Sequence, residues 1–324
     1  MRLLLPLALL ALGACTSTSL PPLAPIPASS RPVPIDPANP QREVLGELRY
    51  LGGVEISSPE KRVGGFSSLK RQGSRLVAIT DGGDWAVIDP IERKGRLVGA
   101  RLAEMGDLHG PDGEVLEGTD DADAESLTPY RRGWLVSFEH RHRILYYPSL
   151  SGRPEASGLD PAGLFGALEP NNGVETIASR NGRIFACAER LPRGEAANCM
   201  IVGPQGREPV AIGAPGGGLD PGTAYPVDAD WASDGTLYIL MRSWSGGNDN
   251  RGAVVRRSAD GALQTLATFV RPTTTDNYEG IAVRQEGKRT FLYIVSDDNF
   301  KVYDRPGQPE SWQHTYLMKF EVAH

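Results

Sequence analysis

A hairpin recurs five times along this chain, at intervals of about 50 residues, the period at which repeats build solenoids or propellers. The copies are "GGFSSLKRQGSRLVAITDGG" from Gly64, "DAESLTPYRRGWLVSFEHR" from Asp123, "NNGVETIASRNGRIFACAER" from Asn171, "PVDADWASDGTLYILMRSW" from Pro226 and "DNYEGIAVRQEGKRTFLYIVSDDN" from Asp276. Each reads as two apolar runs flanking a short turn, which is an antiparallel strand pair. Aligned on the turn, the copies share a first special position occupied by Ser67, Glu125, Glu175, Asp228 and Glu279. Fourteen residues later come Asp81, Glu139, Glu189 and Arg242; in the last copy, with four residues inserted in the turn, Asp297 follows after eighteen. One such pair arises by chance, whereas five in register are a repeat.

Further candidate strands follow the hairpins: "DWAVIDP" and "RLVGARLAEM", "NCMIVG" and "EPVAIGA", "AVVRRSA" and "LQTLATFV". Four short antiparallel strands per unit predict an all-β chain folded as a β-propeller, with the innermost strand of each blade lining a central channel. The last copy has only "FKVYD" and "TYLMKFEV" after its hairpin. The segment "EVLGELRYLGGVEI", residues 43–56, supplies the missing strand from the other end of the chain, closing the ring and removing exposed edges. The count gives five blades, or six if the irregular stretch "GDLHGPDGEVLEGTDD" hides another.

In an antiparallel pair, the start of one strand and the end of the next lie at the same end of the sheet. Both acids of each hairpin therefore face one rim, and Asp81, Glu125, Glu139, Glu175, Glu189, Asp228, Asp230, Glu279 and Asp297 are expected at one mouth of the channel. Crowded carboxylates repel unless they are compensated. A hard cation is one compensator: Ca²⁺ takes about six to eight oxygens, carboxylates foremost, and Glu125, Glu175, Asp228, Glu279 and Asp297 are the candidate ligands. The other reading makes the acids links between blades, each accepting a neighbouring N–H or pairing with a basic side chain. Asp81, Glu189, Arg190 and Asp230 are candidate contacts to a small ligand. Basic groups follow the acids, with His140, Arg141, His142 and Arg143 after Glu139, and Arg190 and Arg193 after Glu189. A metal ringed by Arg and His suits an anionic ester, so Glu139, His140 and Arg242 are the candidate catalytic groups.

Several function classes are excluded or unsupported. The net charge of -6 argues against nucleic acid, whose phosphates need clustered Lys and Arg. No G-x-S-x-G elbow and no H-E-x-x-H occur. "SSLK" has S-x-x-K spacing, but in a strand Ser67 and Lys70 point to opposite faces.

The first residues stand apart from the repeat. "MRLLLPLALLALGAC" carries one basic residue and an apolar run too short to span a bilayer. It resembles a bacterial lipoprotein signal spanning residues 1–15, cut before Cys15. That resemblance implies a lipidated Cys15, and Thr16 after it implies the periplasmic face of the outer membrane, with the membrane itself as a partner through the anchor. Residues 16–41, rich in Pro and Ser, are expected to be an extended tether, with the propeller domain occupying residues 42–324. Of the three cysteines, Cys187 and Cys199 then remain as a pair, twelve residues apart in an oxidising compartment. A hairpin would set them on adjacent strands as a disulfide; two separate buried thiols are the other reading.

The repeated E-[SGT]-[LI] before a hairpin that ends in Asp or Glu, as in "AESLTPYRRGWLVSFE", "VETIASRNGRIFACAE" and "YEGIAVRQEGKRTFLYIVSD", resembles the phytase-like, or esterase-like, propeller family of exported bacterial proteins. The resemblance runs from about Gly64 to the end. It implies hydrolysis of phosphate or carboxylic esters, with calcium where a true propeller phytase is concerned. The chain departs from those phytases in being shorter and in lacking a dense run of Asp and Lys for phytate. The alternative is a non-enzymatic propeller of the cell envelope whose mouth binds a small ligand or a protein, because fold alone does not choose between the two.

Overall fold

The structure, a computed structural model, describes residues 26–190, 197–246, 249–301 and 313–323. The segment expected to be a signal, with Cys15, and also Arg193 and most of "FKVYD" lie outside the described residues. The described chain begins with β1 (Ser29–Val33), β2 (Val44–Leu45) and β3 (Leu48–Ser57). The first blade is β4 (Phe66–Gln72), β5 (Arg75–Thr80), β6 (Asp84–Arg93) and β7 (Arg96–Asp107). The second is β8 (Ala124–Tyr130), β9 (Gly133–Phe138), β10 (Arg143–Tyr147) and β11 (Glu155–Ala156). The third is β12 (Val174–Arg180), β13 (Arg183–Ala188), β14 (Cys199–Gly203) and β15 (Gly206–Val210), and the fourth is β16 (Tyr225–Trp231), β17 (Leu237–Trp244), β18 (Asn250–Arg257) and β19 (Leu263–Phe269). In these four sheets every strand pairs only with its sequence neighbours.

The fifth blade is assembled from both ends of the chain. β20 (Asn277–Glu286), β21 (Arg289–Asp297) and β22 (Thr315–Val322) are joined by β3, which pairs antiparallel with β22. The ring is thus closed by the N-terminal strand, with five blades. The irregular stretch before the second blade forms no sixth one. It is a connection holding a single bridge, His109 to Val115, and a helical turn at Thr119–Ala122.

Residues 29–35, expected to belong to an extended tether, pack on the fifth blade instead. β1 continues the fifth blade outward, pairing from Ser29 opposite Ser57 to Val33 opposite Gly53. Pro32 is tolerated there because an outermost strand has one edge without a ladder to satisfy. Beyond it Ile35 is fully buried, its carbonyl accepts from the Thr274 N–H at 2.8 Å, and Arg31 pairs with Glu55 at 2.6 Å. Burial of Ile35, with Val33 partly covered, removes apolar surface from water and holds the segment against the sheet.

Apolar alternation on each blade makes five buried clusters, one at each interface. Phe66, Leu69 and Ala282 bind the first blade to the fifth; Ile79, Leu127 and Val136 bind the first to the second; Leu135, Ile177 and Ile184 bind the second to the third. Phe185, Ala229 and Ile239 bind the third to the fourth, and Leu240, Phe269 and Ile281 the fourth to the fifth. The inner strands close the circle: β4 lies against β8 and β20, β12 against β8 and β16, and β16 against β20. Cys187 and Cys199 face each other across β13 and β14 and form a disulfide. By restricting the unfolded chain it contributes about 2–4 kcal/mol.

Candidate functional site

The inner hairpin of every blade carries a β-bulge near its start, and the bulge defines the site. The register slips between Phe66 and Ser68, Ala124 and Ser126, Val174 and Thr176, Pro226 and Asp228, and Tyr278 and Gly280. The residues left out of the ladder are Ser67, Glu125, Glu175, Val227 and Glu279. A bulge re-aims one side chain and increases local twist, so here it turns the glutamates toward the rim while the next residue points to the channel axis.

This corrects the alignment of the fourth copy. Its hairpin loop spans residues 232–236, where the other four hairpins turn in two residues. Alignment on the turn therefore displaces the copy by one position. The residue equivalent to the glutamates is Val227, and Asp228 corresponds to Ser68, Ser126 and Thr176. In the fifth copy the four extra residues lengthen the strands, and the turn itself is the pair Gly287–Lys288.

Asp228 accordingly lies at the waist of the channel and is not a metal ligand. Its Oδ1 accepts from Lys70 Nζ at 2.6 Å, Ser126 Oγ at 3.2 Å and its neighbour Ala229 N at 2.9 Å. Its Oδ2 accepts from Ser68 Oγ at 3.0 Å, Leu69 N at 3.2 Å and Ile281 N at 2.9 Å. Those donors belong to the first, second, fourth and fifth blades, and no lone pair is left for an ion. Lys70, fully buried like Asp228, was set aside with the S-x-x-K reading. Its role is structural, and no local sequence signal marks it. Asp230, two residues further along β16, points the same way and lies deeper, toward the opposite end of the channel, beside Arg71 and Arg180. It accepts from Val283 N at 2.7 Å and Trp231 N at 2.9 Å. It is not part of the acidic mouth.

The remaining predicted acids do converge. Carboxylate oxygens of Glu125, Glu139 and Glu175 all lie within 4.8 Å of one another. Two oxygens on a single Ca²⁺ at about 2.4 Å each can be no further apart than about 4.8 Å, so one ion can touch all three. Asp123, Glu139 and His140 make a second such group, with His140 Nε2 3.2 Å from Asp123 Oδ2. Glu139 is common to both. It is also fixed from behind, since its Oε1 accepts from Gly173 N at 2.9 Å.

Across the mouth, Arg242 takes the second special position of the fourth blade. Its Nη1 donates to Glu279 Oε1 at 2.6 Å and to Asn277 Oδ1, and its Nη2 donates to the Tyr225 hydroxyl. Asn277 Nδ2 bridges Glu279 Oε1 at 2.8 Å and Asp297 Oδ2 at 2.9 Å. Glu279 and Asp297 are thus tied to Arg242 and Asn277 rather than to the three-glutamate group. Asp81 reaches the rim because Gly65 stands opposite it. A Cβ on Gly65 would come within 2.3 Å of Asp81 Oδ1, and its φ of +59° is itself unfavourable for other residues. That Oδ1 is buried without a hydrogen-bond partner among the described residues. Glu189 and Arg190 stand at the side of the mouth, 4.0 Å apart. Of the basic run after Glu139 only His140 joins the site: Arg141 pairs with Asp121 at 2.6 Å, His142 meets the Glu169 carbonyl at 2.9 Å, and Arg143 lies over the Phe138 ring.

Electrostatics follow from this crowding. Burial, then the charges of Glu279, Asp123 and Asp298, push Asp81 up to about 8. Burial raises Glu139 to about 7, with Asp123 and Glu189 adding to the rise and the Gly173 N–H opposing it. Glu125 and Glu175 are held well above the usual carboxylate range, by burial first and by neighbouring carboxylates second. Burial works against the charge of Arg242, yet Tyr225 and Glu279 hold its guanidinium protonated. Without a cation the mouth acids hold their protons to higher pH than ordinary carboxylates do. The three-carboxylate group has the span and the oxygen donors that a hard cation fits.

The chain matches, over residues 61–300, the family described as phytase-like, esterase-like activity of phytase. It belongs to that family. No curated protein sequence matches it. Solved structures resemble the chain at low similarity. They include an exo-1,5-α-L-arabinanase from a bovine ruminal metagenomic library, with 10% identity, 78% of this chain and 90% of that chain covered, and a TM-score of 0.43. The α-L-arabinofuranosidase of Podospora anserina in complex with cellotriose has 11% identity over 85% and 97% of the two chains, with a TM-score of 0.40. Apo AztD from Citrobacter koseri has 10% identity over 83% and 77%, with a TM-score of 0.33.

The strand register brings further residues to the mouth. Asp123, Gly65, Gly173, Tyr225 and Asn277 each stand two residues before a bulge, opposite the second special residue. The D-x-E spacing of Asp123 and Glu125 was the available signal, since alternation across a bulge brings both to one rim.

Proposed function

We propose that the mouth is the site of a metal-dependent ester hydrolase, acting on phosphate esters, with the chain held at the bacterial cell envelope through a lipidated Cys15. The observation that carries this reading is the convergence of Glu125, Glu139 and Glu175 oxygens within 4.8 Å of one another, beside the half-buried Arg242. Those three glutamates would hold the cation, Ca²⁺ first among hard ions. When bound, the ion supplies charge that polarises the ester oxygen and acidifies a water.

The chain's own residues do the rest. Arg242 is fixed by Glu279, Asn277 and Tyr225, so it presents its charge without reorganising when an anionic ester arrives. Arg190, 73% exposed at the side chain, meets the same anion from the solvent side. His140 is oriented by Asp123 and partly open to solvent, which suits it to carry a proton to or from the mouth. The preference for phosphate over carboxylic esters rests on two guanidinium groups beside the acids.

A hydrolysis screen with phosphate and carboxylic esters, run with and without chelator, tests the reading. Turnover of phosphate esters is expected, lost on chelation and restored by Ca²⁺. A blank screen in the presence of Ca²⁺ would leave the mouth as a binding site of a non-enzymatic propeller.

A further inference from the structure

A cleft of about 840 Å³ opens beside the mouth, between the third and fourth blades. Arg242 and Tyr225 form its inner end, Ile212 and Pro221 belong to its walls, and Trp244 stands in its lining. Trp244 follows Arg242 by two residues on β17, so strand alternation sends both side chains to one face. It is 53% exposed and so within reach of a molecule in the cleft. Apart from Glu189, Arg190 and Arg242, the described lining carries no charge.

Charge decides what such a cleft can take. Arg242 is already engaged by Glu279 at 2.6 Å, and Arg190 lies 4.0 Å from Glu189. A ligand with many phosphates would need a cation for each to offset desolvation and mutual repulsion. One anionic head and an apolar body match what the cleft offers. We propose that the site is specific for monoesters whose single anionic head reaches the mouth and whose aromatic or compact apolar body lies in this cleft against Trp244. This rests on the reading of the mouth as an ester site.

Calorimetric titration in Ca²⁺-containing buffer tests it, using 1-naphthylphosphonate, methylphosphonate and inositol hexakisphosphate as probes. 1-Naphthylphosphonate should bind the wild type at least about tenfold more tightly than methylphosphonate, the scale of one well-packed aromatic contact. Trp244→Ala should remove that advantage and leave methylphosphonate unchanged, and Trp244→Phe should restore part of it. Equal binding of the two phosphonates, binding of neither, or tighter binding of inositol hexakisphosphate would overturn the proposal. Neither phosphonate is hydrolysed, so the outcome is separate from the ester screen. Aromatic selectivity with a blank screen removes the hydrolase and keeps the cleft, whereas turnover without selectivity removes the cleft and keeps the hydrolase.

Discussion

The waist and the mouth of the channel are built from the same five inner strands, yet they treat carboxylates in opposite ways. At the waist Asp228 accepts hydrogen bonds from Lys70, Ser68, Ser126 and three backbone amides. At the mouth Asp81 Oδ1 is buried with no partner among the described residues, and Glu125, Glu139 and Glu175 crowd one another. The bulge separates the two: one residue turns to the rim and the next to the axis. A buried carboxylate whose lone pairs are filled by its own fold holds blades together. One whose lone pairs face other carboxylates destabilises the fold until a proton or a cation arrives.

The largest effect should come from breaking the waist. Asp228→Ala removes the acceptor shared by several blades and leaves Lys70 charged and uncompensated. Loss of one partner of such a pair costs about 3–5 kcal/mol, to be read as a lower urea midpoint. A loss below about 1 kcal/mol, the scale of an exposed pair, would mean that the waist is not what ties the ring.

A smaller effect, of distinctive sign, belongs to the mouth. Asp81 moves from its ordinary 3.8 to about 8 and Glu139 from 4.5 to about 7. An acid whose folded pKa is raised keeps its proton in the folded state after the unfolded chain has released it. Its contribution is complete below the unfolded value and is lost as pH rises through the folded value. Chelated protein should therefore melt at progressively lower temperature from about pH 5 to about pH 8. Saturating Ca²⁺ should flatten that slope, because the cation replaces the protons. A melting temperature that is constant or rising with pH in chelator would contradict the crowding.

The same comparison explains how much could be read in advance. Turn spacing and strand alternation are local, and they disclosed the five hairpins, the closure by residues 43–56 and the facing of Cys187 and Cys199. The acids at Glu125, Glu139 and Glu175 were legible because strand geometry alone sends both ends of a hairpin to one rim. Asp228 was misplaced because a longer loop moved the turn relative to the bulge, and a bulge leaves no composition signal. β1 escaped notice because "SSRPVPI" has the makeup of a linker and becomes a strand only by pairing with β3, more than twenty residues away. Lys70 was invisible for the same reason, its partner being 158 residues distant.

The central claim, that the mouth is completed by a cation, is tested most directly by melting the chelated protein against the same protein in Ca²⁺, for the wild type and Glu175→Gln. Calcium at a hundredfold excess over its dissociation constant should stabilise the wild type by about 2.7 kcal/mol. The Glu175→Gln protein should melt above the wild type in chelator, because the amide needs no proton to be buried there, and should gain far less from Ca²⁺. Melting that ignores Ca²⁺ and chelator up to millimolar levels in both proteins would contradict the account and make the mouth acids links between blades.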